Sequence, residues 1–447
     1  MLKKICSAVI GFFCLFQWNF AHAGPREDYD EARKLYQFAA ACRAAYSDYL
    51  GQLAQDALTD NGWQVQKYKQ IGNKADARLL LINRADPDTG KTVYILASTG
   101  TETVKDVLTD LMVDKLYFAG NTPEEMEANA ALKEIPPNQP MVHKGFYNYV
   151  KTAFSIEDPD KTSGHNSLLF SSVAANRDST IYLVGHSLGG AAATLSAAAL
   201  LNLGVQPEQL QVITFGAPAV GNEAFRAQYA DKINLTRYVM RGDKVTGILQ
   251  GLGSYVQFGQ EVTLRSPDDY HYDSHDMVLY LDHAIKNYYD KRQLAVDAGV
   301  LSVPSQVLPA SSSSSPFVYV SPLTANFPPA WDKELPYIKA ALQDEYRQLF
   351  SAYILADGTG TTNALQEAAA AGCQWLVVPE FQARRLKNDP NSYQLTFQQT
   401  VYRVKDSQLV SLQTFSCGTQ KLTPVEAAIH LAMEMSAEKS PWLKQGD

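Results

Sequence analysis

The stretch Gly185-His186-Ser187-Leu188-Gly189 sets a serine between two glycines in the G-x-S-x-G pattern. A serine hydroxyl can attack a carboxylic ester carbonyl if a sharp turn lifts it clear of its neighbours and a base takes its proton. The flanking residues fit that turn. Ile181-Tyr182-Leu183-Val184 is apolar and strand-like, and Ala191–Leu201 is rich in alanine and leucine, the composition of a strong helix. Glycines are needed beside the serine because a Cβ there would strike the backbone of so tight a bend. The helix that follows points its free amides and positive dipole end at the serine, where negative charge would develop on the attacked oxygen. The amide of Leu188, next after the nucleophile, is the expected donor to that oxyanion.

A serine at its ordinary pKa needs a histidine base and a carboxylate, which follow it in the order Ser, acid, His for a nucleophile on a strand–turn–helix bend. Asp243 sits just past the strand-like run that ends at Met240, where a carboxylate could meet an imidazole; it is equally placed to be a turn residue beside Gly242. Three histidines follow: His271, His275 and His283. His275 stands before the apolar run Met277-Val278-Leu279-Tyr280-Leu281 at a loop-to-helix junction, a perch suited to a base. His283 falls inside that helix. His143 and His165 precede the serine, and His186 is committed to the bend itself.

Several segments together resemble one family. Val184-Gly185-His186-Ser187-Leu188-Gly189-Gly190-Ala191 and Ile213-Thr214-Phe215-Gly216-Ala217-Pro218-Ala219-Val220-Gly221-Asn222 are similar to the class 3 (fungal-type) lipases of the α/β-hydrolase superfamily. Val142-His143-Lys144-Gly145-Phe146, Thr99-Gly100-Thr101-Glu102 and the segment around His275 agree, in the same order along the chain. The resemblance implies Ser187 as nucleophile, Asp243 as orienting acid, His275 as base, and an oxyanion hole formed by the amides of Leu188 and Thr101. The sequence departs from the family in two places. The usual Arg-Gly-Ser/Thr reads Thr99-Gly100-Thr101, and Asp-x-Val-Pro reads Asp243-Lys244-Val245-Thr246. In fungal relatives a helix after the Thr101 position acts as a lid; here Val104, Val107, Leu108, Leu111 and Met112 share one helical face within residues 102–116, as an ordinary core-facing helix would also have it.

The elements that must position these residues alternate strand and helix, which predicts an α/β fold with a mostly parallel central sheet. A helix over Tyr29–Leu50 precedes strands at Ala77–Asn83 and Val93–Ala97; Ile181–Val184, Gln211–Phe215 and Arg237–Met240 complete the expected strands. Residues 24–300 form this expected hydrolase domain. Pro304, Pro309, Ser311 to Ser315 and Pro316 mark a linker at 301–316. Residues 317–447 then read as a second, smaller α/β domain, whose pattern faintly resembles the N-terminal domain of TolB and so implies an envelope-protein partner. Cys373 and Cys417 flank strands there and could pair as a disulfide in an oxidising compartment, while Cys42 lies on an apolar helix face.

Composition sets the remaining bounds. The chain has 447 residues, 46% hydrophobic and 19% charged, with net charge −8. That excludes a disordered chain, and the acidic balance without a basic block excludes the electrostatic footprint of nucleic-acid binding. Lys3 and Lys4, the apolar run Ile5–Phe16 and Ala21-His22-Ala23 read as a signal peptide over residues 1–23, so an exported protein, periplasmic or secreted, is expected. Membrane contact is then transient at most, through apolar surface. HExxH, P-loop, CxxC and GxGxxG patterns are all missing from the sequence, so no metal or other cofactor is expected. The function expected is hydrolysis of lipid esters, by a triacylglycerol lipase or a phospholipase A1. The alternatives are a short-chain carboxylesterase, or a non-catalytic envelope binding protein on a hydrolase scaffold.

Overall fold

The computed structural model describes residues 24–438 apart from 47, 61, 88, 101–113, 159–167, 266–270, 311–315 and 358–362. The expected signal peptide, Thr101, the amphipathic stretch Val104–Met112 and the serine run Ser311–Ser315 lie outside the described residues.

The first sheet has seven strands: β1 (Gln64–Gln70), β2 (Ala77–Ala85), β3 (Thr92–Ser98), β6 (Ser179–His186), β7 (Leu210–Phe215), β8 (Asn234–Met240) and β9 (Gln260–Leu264), adjacent in that order. β1, β2 and β3 pair antiparallel, and every pair from β3 to β9 is parallel. β4 (Lys115–Tyr117) and β5 (Met141–His143) make a separate two-stranded ribbon. Because successive side chains of a strand point to opposite faces, the central strands must be apolar at every position to be covered on both sides. Leu79 and Leu81 enter one apolar cluster, with the helices Lys144–Phe154 and Leu188–Asn202. Leu80 and Ile82 enter another, with Pro25–Ala45 and Met277–Asp297. The result is a helix–sheet–helix sandwich, and the loops that leave the carboxyl ends of β6, β7 and β8 converge on one edge of it.

The single helix expected over Tyr29–Leu50 is in fact two, Pro25–Ala45 and Tyr49–Asp60. The first begins on Pro25 with Glu27 and Asp28 in its first turn, which complements the helix dipole. It stops where Tyr46 turns extended (φ −71°, ψ 145°), and the Tyr46 hydroxyl is drawn to His186. Asp48 then accepts the Gly51 amide at 2.8 Å as the next helix starts.

The second sheet runs β10 (Gln306–Val307), β13 (Ala352–Leu355), β11 (Phe317–Val320), β14 (Trp375–Arg385), β15 (Tyr393–Arg403) and β16 (Gln408–Gly418), with β12 (Thr324–Asn326) also paired to β14. It is parallel through β13, β11 and β14 and antiparallel from β14 to β16. One face packs on the helices Leu335–Leu349 and Pro424–Ala437, the other on Ala364–Ala370. Gln306 and Val307, inside the stretch read as a linker, pair with Ile354 and Tyr353, so part of that stretch is built into the sheet. The Cys373–Cys417 pairing that the sequence left open is not formed: both thiols are free. They lie on opposite faces of the sheet, Cys373 in the cluster with Ala364 and Ala368, and Cys417 against the other core with Sγ toward the Ala427 carbonyl.

The helix Met277–Asp297 belongs to both halves. Met277 to Ala284 pack in the first, while Ile285 and Tyr289 pack in the core of the second. Lys286 on that helix bridges the buried carboxylates of Asp282 and Glu334 at 2.8 and 2.7 Å, and Arg292 meets Asp344 at 2.5 Å. No helix among the described residues is long and apolar enough to cross a membrane.

Candidate active site

β6 runs directly into the helix Leu188–Asn202 with only Ser187 between them. Ser187 therefore takes φ 57°, ψ −128°, a strained conformation for a residue with a Cβ. The Ser187 amide closes the bend onto the neighbouring strand by donating to the Phe215 carbonyl at 2.9 Å, and its own carbonyl accepts the Ala191 amide as the helix begins. Gly185 is required by this closeness: a Cβ there would lie 2.2 Å from the backbone of Gly189. The bend holds the Ser187 side chain over the start of the helix, where Leu188 is the first helical residue.

Asp243 lies three residues beyond β8, and His275 two residues before the helix Met277–Asp297. The fold brings both to Ser187. His275 Nε2 is 2.9 Å from Ser187 Oγ, and His275 Nδ1 is 3.0 and 2.9 Å from the two oxygens of Asp243. All three residues are buried, with Ser187 1% and His275 2% exposed. A carboxylate can only accept, so Nδ1 carries the ring proton and Nε2 is left to accept the serine hydroxyl proton. His271 is exposed, and His283 is half-buried within the helix with burial holding its imidazole below the usual range; neither reaches Ser187. His143 instead caps the helix Lys144–Phe154, accepting the amides of Gly145 and Phe146.

Two tyrosines at this site escaped the sequence reading. The Tyr280 hydroxyl donates to Asp243 Oδ2 at 2.8 Å while accepting the Met240 amide at 2.9 Å, and the Val245 amide donates to Asp243 Oδ1 at 2.9 Å. Burial and the Asp243 charge push the Tyr280 phenol well above its ordinary pKa, so it remains a donor. Tyr280 is one residue of the apolar run after His275, and a polar tip inside such a run was the available signal. Tyr46 is the second. Its hydroxyl lies 2.6 Å from His186 Nδ1, and His186 Nε2 lies 2.7 Å from the His275 carbonyl. Because that carbonyl only accepts, His186 carries its proton on Nε2 and receives the Tyr46 hydroxyl at Nδ1. Burial, with His275 nearby, holds the His186 pKa well below the ordinary value, which keeps the ring neutral in this chain of bonds.

Gly216, at the carboxyl end of β7, has φ 60°, and a Cβ there would stand 2.6 Å from Asp243 Oδ2 and 3.1 Å from His275 Nδ1. Thr246, which replaces the family's proline, donates from its hydroxyl to the Asp243 carbonyl at 2.9 Å. The altered loop thus passes into the helix Val245–Gly253 with the acid in place. The arrangement is a buried hydroxyl with a base and an orienting acid at hydrogen-bond distance, beside a helix amino end. That set can carry out acyl transfer.

Residues 95–250 match the model of the family Lipase (class 3). This segment is similar to the class 3 lipases. It holds Ser187 and Asp243, while His275 lies beyond it. The strand order, the bend after β6 and the chain order Ser, Asp, His are those of an α/β-hydrolase. The chain is also similar to two curated proteins. The chain is 30% identical over 139 residues to Toxin TseL of Vibrio cholerae serotype O1 (strain ATCC 39315 / El Tor Inaba N16961), which is 31% of this chain and 18% of that protein. It is 40% identical over 76 residues to Lipase ZK262.3 of Caenorhabditis elegans, 17% of this chain and 22% of that protein. The chain thus spans only about a fifth of the length of these curated relatives. Among solved structures, the triacylglyceride lipase of Rhizomucor miehei aligns with TM-score 0.40 at 18% identity, covering 52% of this chain and 80% of that one. Lipase II from Rhizopus niveus aligns with TM-score 0.39 at 19% identity, covering 53% and 81%.

Proposed function

We propose that this protein is a serine hydrolase that cleaves carboxylic ester bonds of lipids, as a triacylglycerol lipase or a phospholipase A1. The observation that carries the reading is the unbroken line from Ser187 Oγ through the His275 ring to the Asp243 carboxylate, at 2.9, 3.0 and 2.9 Å.

In this reading Ser187 Oγ attacks the ester carbonyl as His275 Nε2 takes its proton. The Leu188 amide stabilises the oxyanion, with the Thr101 amide as the second donor by family resemblance. His275 returns the proton to the leaving alcohol oxygen, the C–O bond breaks and an acyl-Ser187 remains. Water, deprotonated by the same nitrogen, attacks that acyl group and releases the acid and the free hydroxyl. Asp243 holds the imidazolium in place, itself fixed by the hydrogen bonds that Tyr280 and the Val245 amide donate to it. Burial of the three residues keeps these charge interactions in a medium where they act strongly.

Purified protein and a Ser187→Ala variant, assayed on p-nitrophenyl esters of rising chain length, test the proposal. Activity dependent on Ser187 with a long-chain optimum supports a lipid esterase, and a short-chain optimum replaces it with a carboxylesterase. Equal rates from the two proteins would sink the mechanism. Export through cleavage after residue 23, to the periplasm or the medium, is part of the same proposal. A secreted product whose amino terminus is Gly24 is its expected signature.

A further inference from the structure

We propose that the second sheet unit is part of the catalytic apparatus, holding the His275 turn in register through Tyr272, which is a positioning residue. The inference rests on the assignment of His275 as the base.

The Tyr272 hydroxyl reaches across to the other half of the molecule and lies 2.5 Å from the Thr419 carbonyl and 2.6 Å from that of Leu422. It has one proton to share between them, and both carbonyls belong to the segment between β16 and the helix Pro424–Ala437. That segment is a firm anchor. Thr419 is 3% exposed, its amide donates to the Tyr393 carbonyl at 2.9 Å, and its hydroxyl accepts the Tyr393 amide at 2.8 Å. Four residues further on, Thr423 closes a reciprocal cap on the helix with Glu426. The phenol also stays a donor, since burial and nearby carboxylates, Glu426 the foremost, raise its pKa far above the ordinary value.

The turn that Tyr272 introduces is short and held mostly by itself. The His275 amide donates to Asp273 Oδ1 at 2.9 Å, the Asp273 amide to Asp276 Oδ2 at 3.0 Å, and the Asp276 amide to the Asp273 carbonyl at 2.9 Å. These bonds set the shape of the turn but not its place. Its backbone is placed from one side by His186, which grips the His275 carbonyl from the bend that carries Ser187. Tyr272 supplies the grip from the other side. Without it, the turn can pivot about the His186 contact and carry Nε2 off the line to Ser187. A displacement of about 1 Å from productive geometry costs a reaction of this kind up to roughly a hundredfold.

The test compares full-length wild type, Tyr272→Phe and Asp344→Asn. Phenylalanine keeps the ring and removes only the hydroxyl. Asp344→Asn weakens a different contact between the two halves, with Arg292, well down the helix from His275. Expected for Tyr272→Phe are a kcat lower by about tenfold with KM within twofold, a matching loss in the rate at which a fluorophosphonate labels Ser187, and faster deuterium exchange of the His275 and Asp276 amides. Asp344→Asn should keep the wild-type kcat and exchange at those amides even if it melts earlier. Wild-type kcat and labelling in Tyr272→Phe, or an equal loss in Asp344→Asn, would overturn the proposal. Failure of the functional reading is separately visible as wild-type turnover that survives Ser187→Ala, and in that case the exchange measurement still decides whether Tyr272 holds the turn.

Discussion

Among the described residues three serines share a backbone φ of 57°: Ser254 closes the helix Val245–Gly253, while Ser187 follows β6 and Ser407 lies in the hairpin between β15 and β16, and these last two make the useful contrast. Ser407 is exposed, and its turn is organised by Asp406, which accepts the Gln408 amide and meets Arg403. Ser187 is buried at the amino end of a helix with an imidazole nitrogen 2.9 Å from its oxygen. An unusual backbone angle is therefore not itself chemistry. It becomes chemistry where the strand before the turn is parallel and internal, so that neighbouring strands deliver their own loops to the same edge. β6 has β3 and β7 beside it, and β8 follows. The hairpin strands β15 and β16 return the chain to its neighbour and gather nothing. The same contrast separates the two sheets, since the first exposes a convergence of carboxyl-end loops and the second ends in a hairpin edge.

The comparison breaks most directly at Ser187. Ser187→Ala should lower kcat by roughly 10⁵-fold with the melting temperature unchanged, whereas Ser407→Ala should alter neither; ester hydrolysis and thermal melts of the two variants check this together. The next largest effect should come from Asp243→Asn. An amide can present only one acceptor oxygen to three donors and offers its NH2 to His275 Nδ1 or to Tyr280. The ring then settles in the wrong tautomer, and kcat should fall by roughly 10⁴-fold with KM little changed. A kcat within tenfold of wild type would show that the carboxylate does not orient His275.

What the sequence showed and what it hid follow the same division. The internal strands β2, β3 and β6 carry the continuous apolar runs Leu79–Ile82, Val93–Ala97 and Ile181–Val184 because both faces are covered there, and that is legible without a structure. The edge strands β1, Gln64-Val65-Gln66-Lys67-Tyr68-Lys69-Gln70, and β9, Gln260-Glu261-Val262-Thr263-Leu264, are largely polar and were not among the expected strands. At the site, Ser187 was legible from a local pattern, because the bend needs its glycines within two residues. Asp243 and His275 were candidates by position, and their assignment rested on resemblance. Tyr280 and Tyr46 were hidden because each looks like one more aromatic on an apolar stripe, and Tyr272 because it stands in a polar loop among Asp and His; only the fold shows where each hydroxyl ends. The break at Tyr46 was hidden for the same reason, its cause lying in a bond to a residue 140 positions away.

A further variant tests the joint between the two halves instead of either sheet. Lys286 sits between Asp282 and Glu334, whose side chains are 2% and 1% exposed. Burial alone would lower its pKa, and the two carboxylates outweigh that and raise it. Lys286→Ala leaves two buried carboxylates facing each other, and should cost about 3–5 kcal/mol in urea unfolding at neutral pH. A loss below about 1 kcal/mol, the worth of an exposed ion pair, would mean the cluster is solvated.

The smallest expected effect lies at Glu426, in the first turn of the helix Pro424–Ala437. Its carboxyl accepts the Thr423 amide at 2.8 Å, yet burial, reinforced by the Asp282 charge and opposed by Arg43, raises its pKa from 4.5 to about 8. The folded state therefore favours the protonated acid. In the unfolded chain the group ionises near its ordinary value, so the stability it supports is complete below that value and is lost as pH rises toward about 8. Glutamine keeps the acceptor oxygen for the Thr423 amide and cannot ionise. Glu426→Gln should then melt close to wild type at about pH 4.5 and above it at about pH 9, the gap opening between those values. Thermal melts of both proteins across that range check it. A gap that is constant with pH would mean that Glu426 is ionised throughout, and that the anchor of Tyr272 rests on a charged cap.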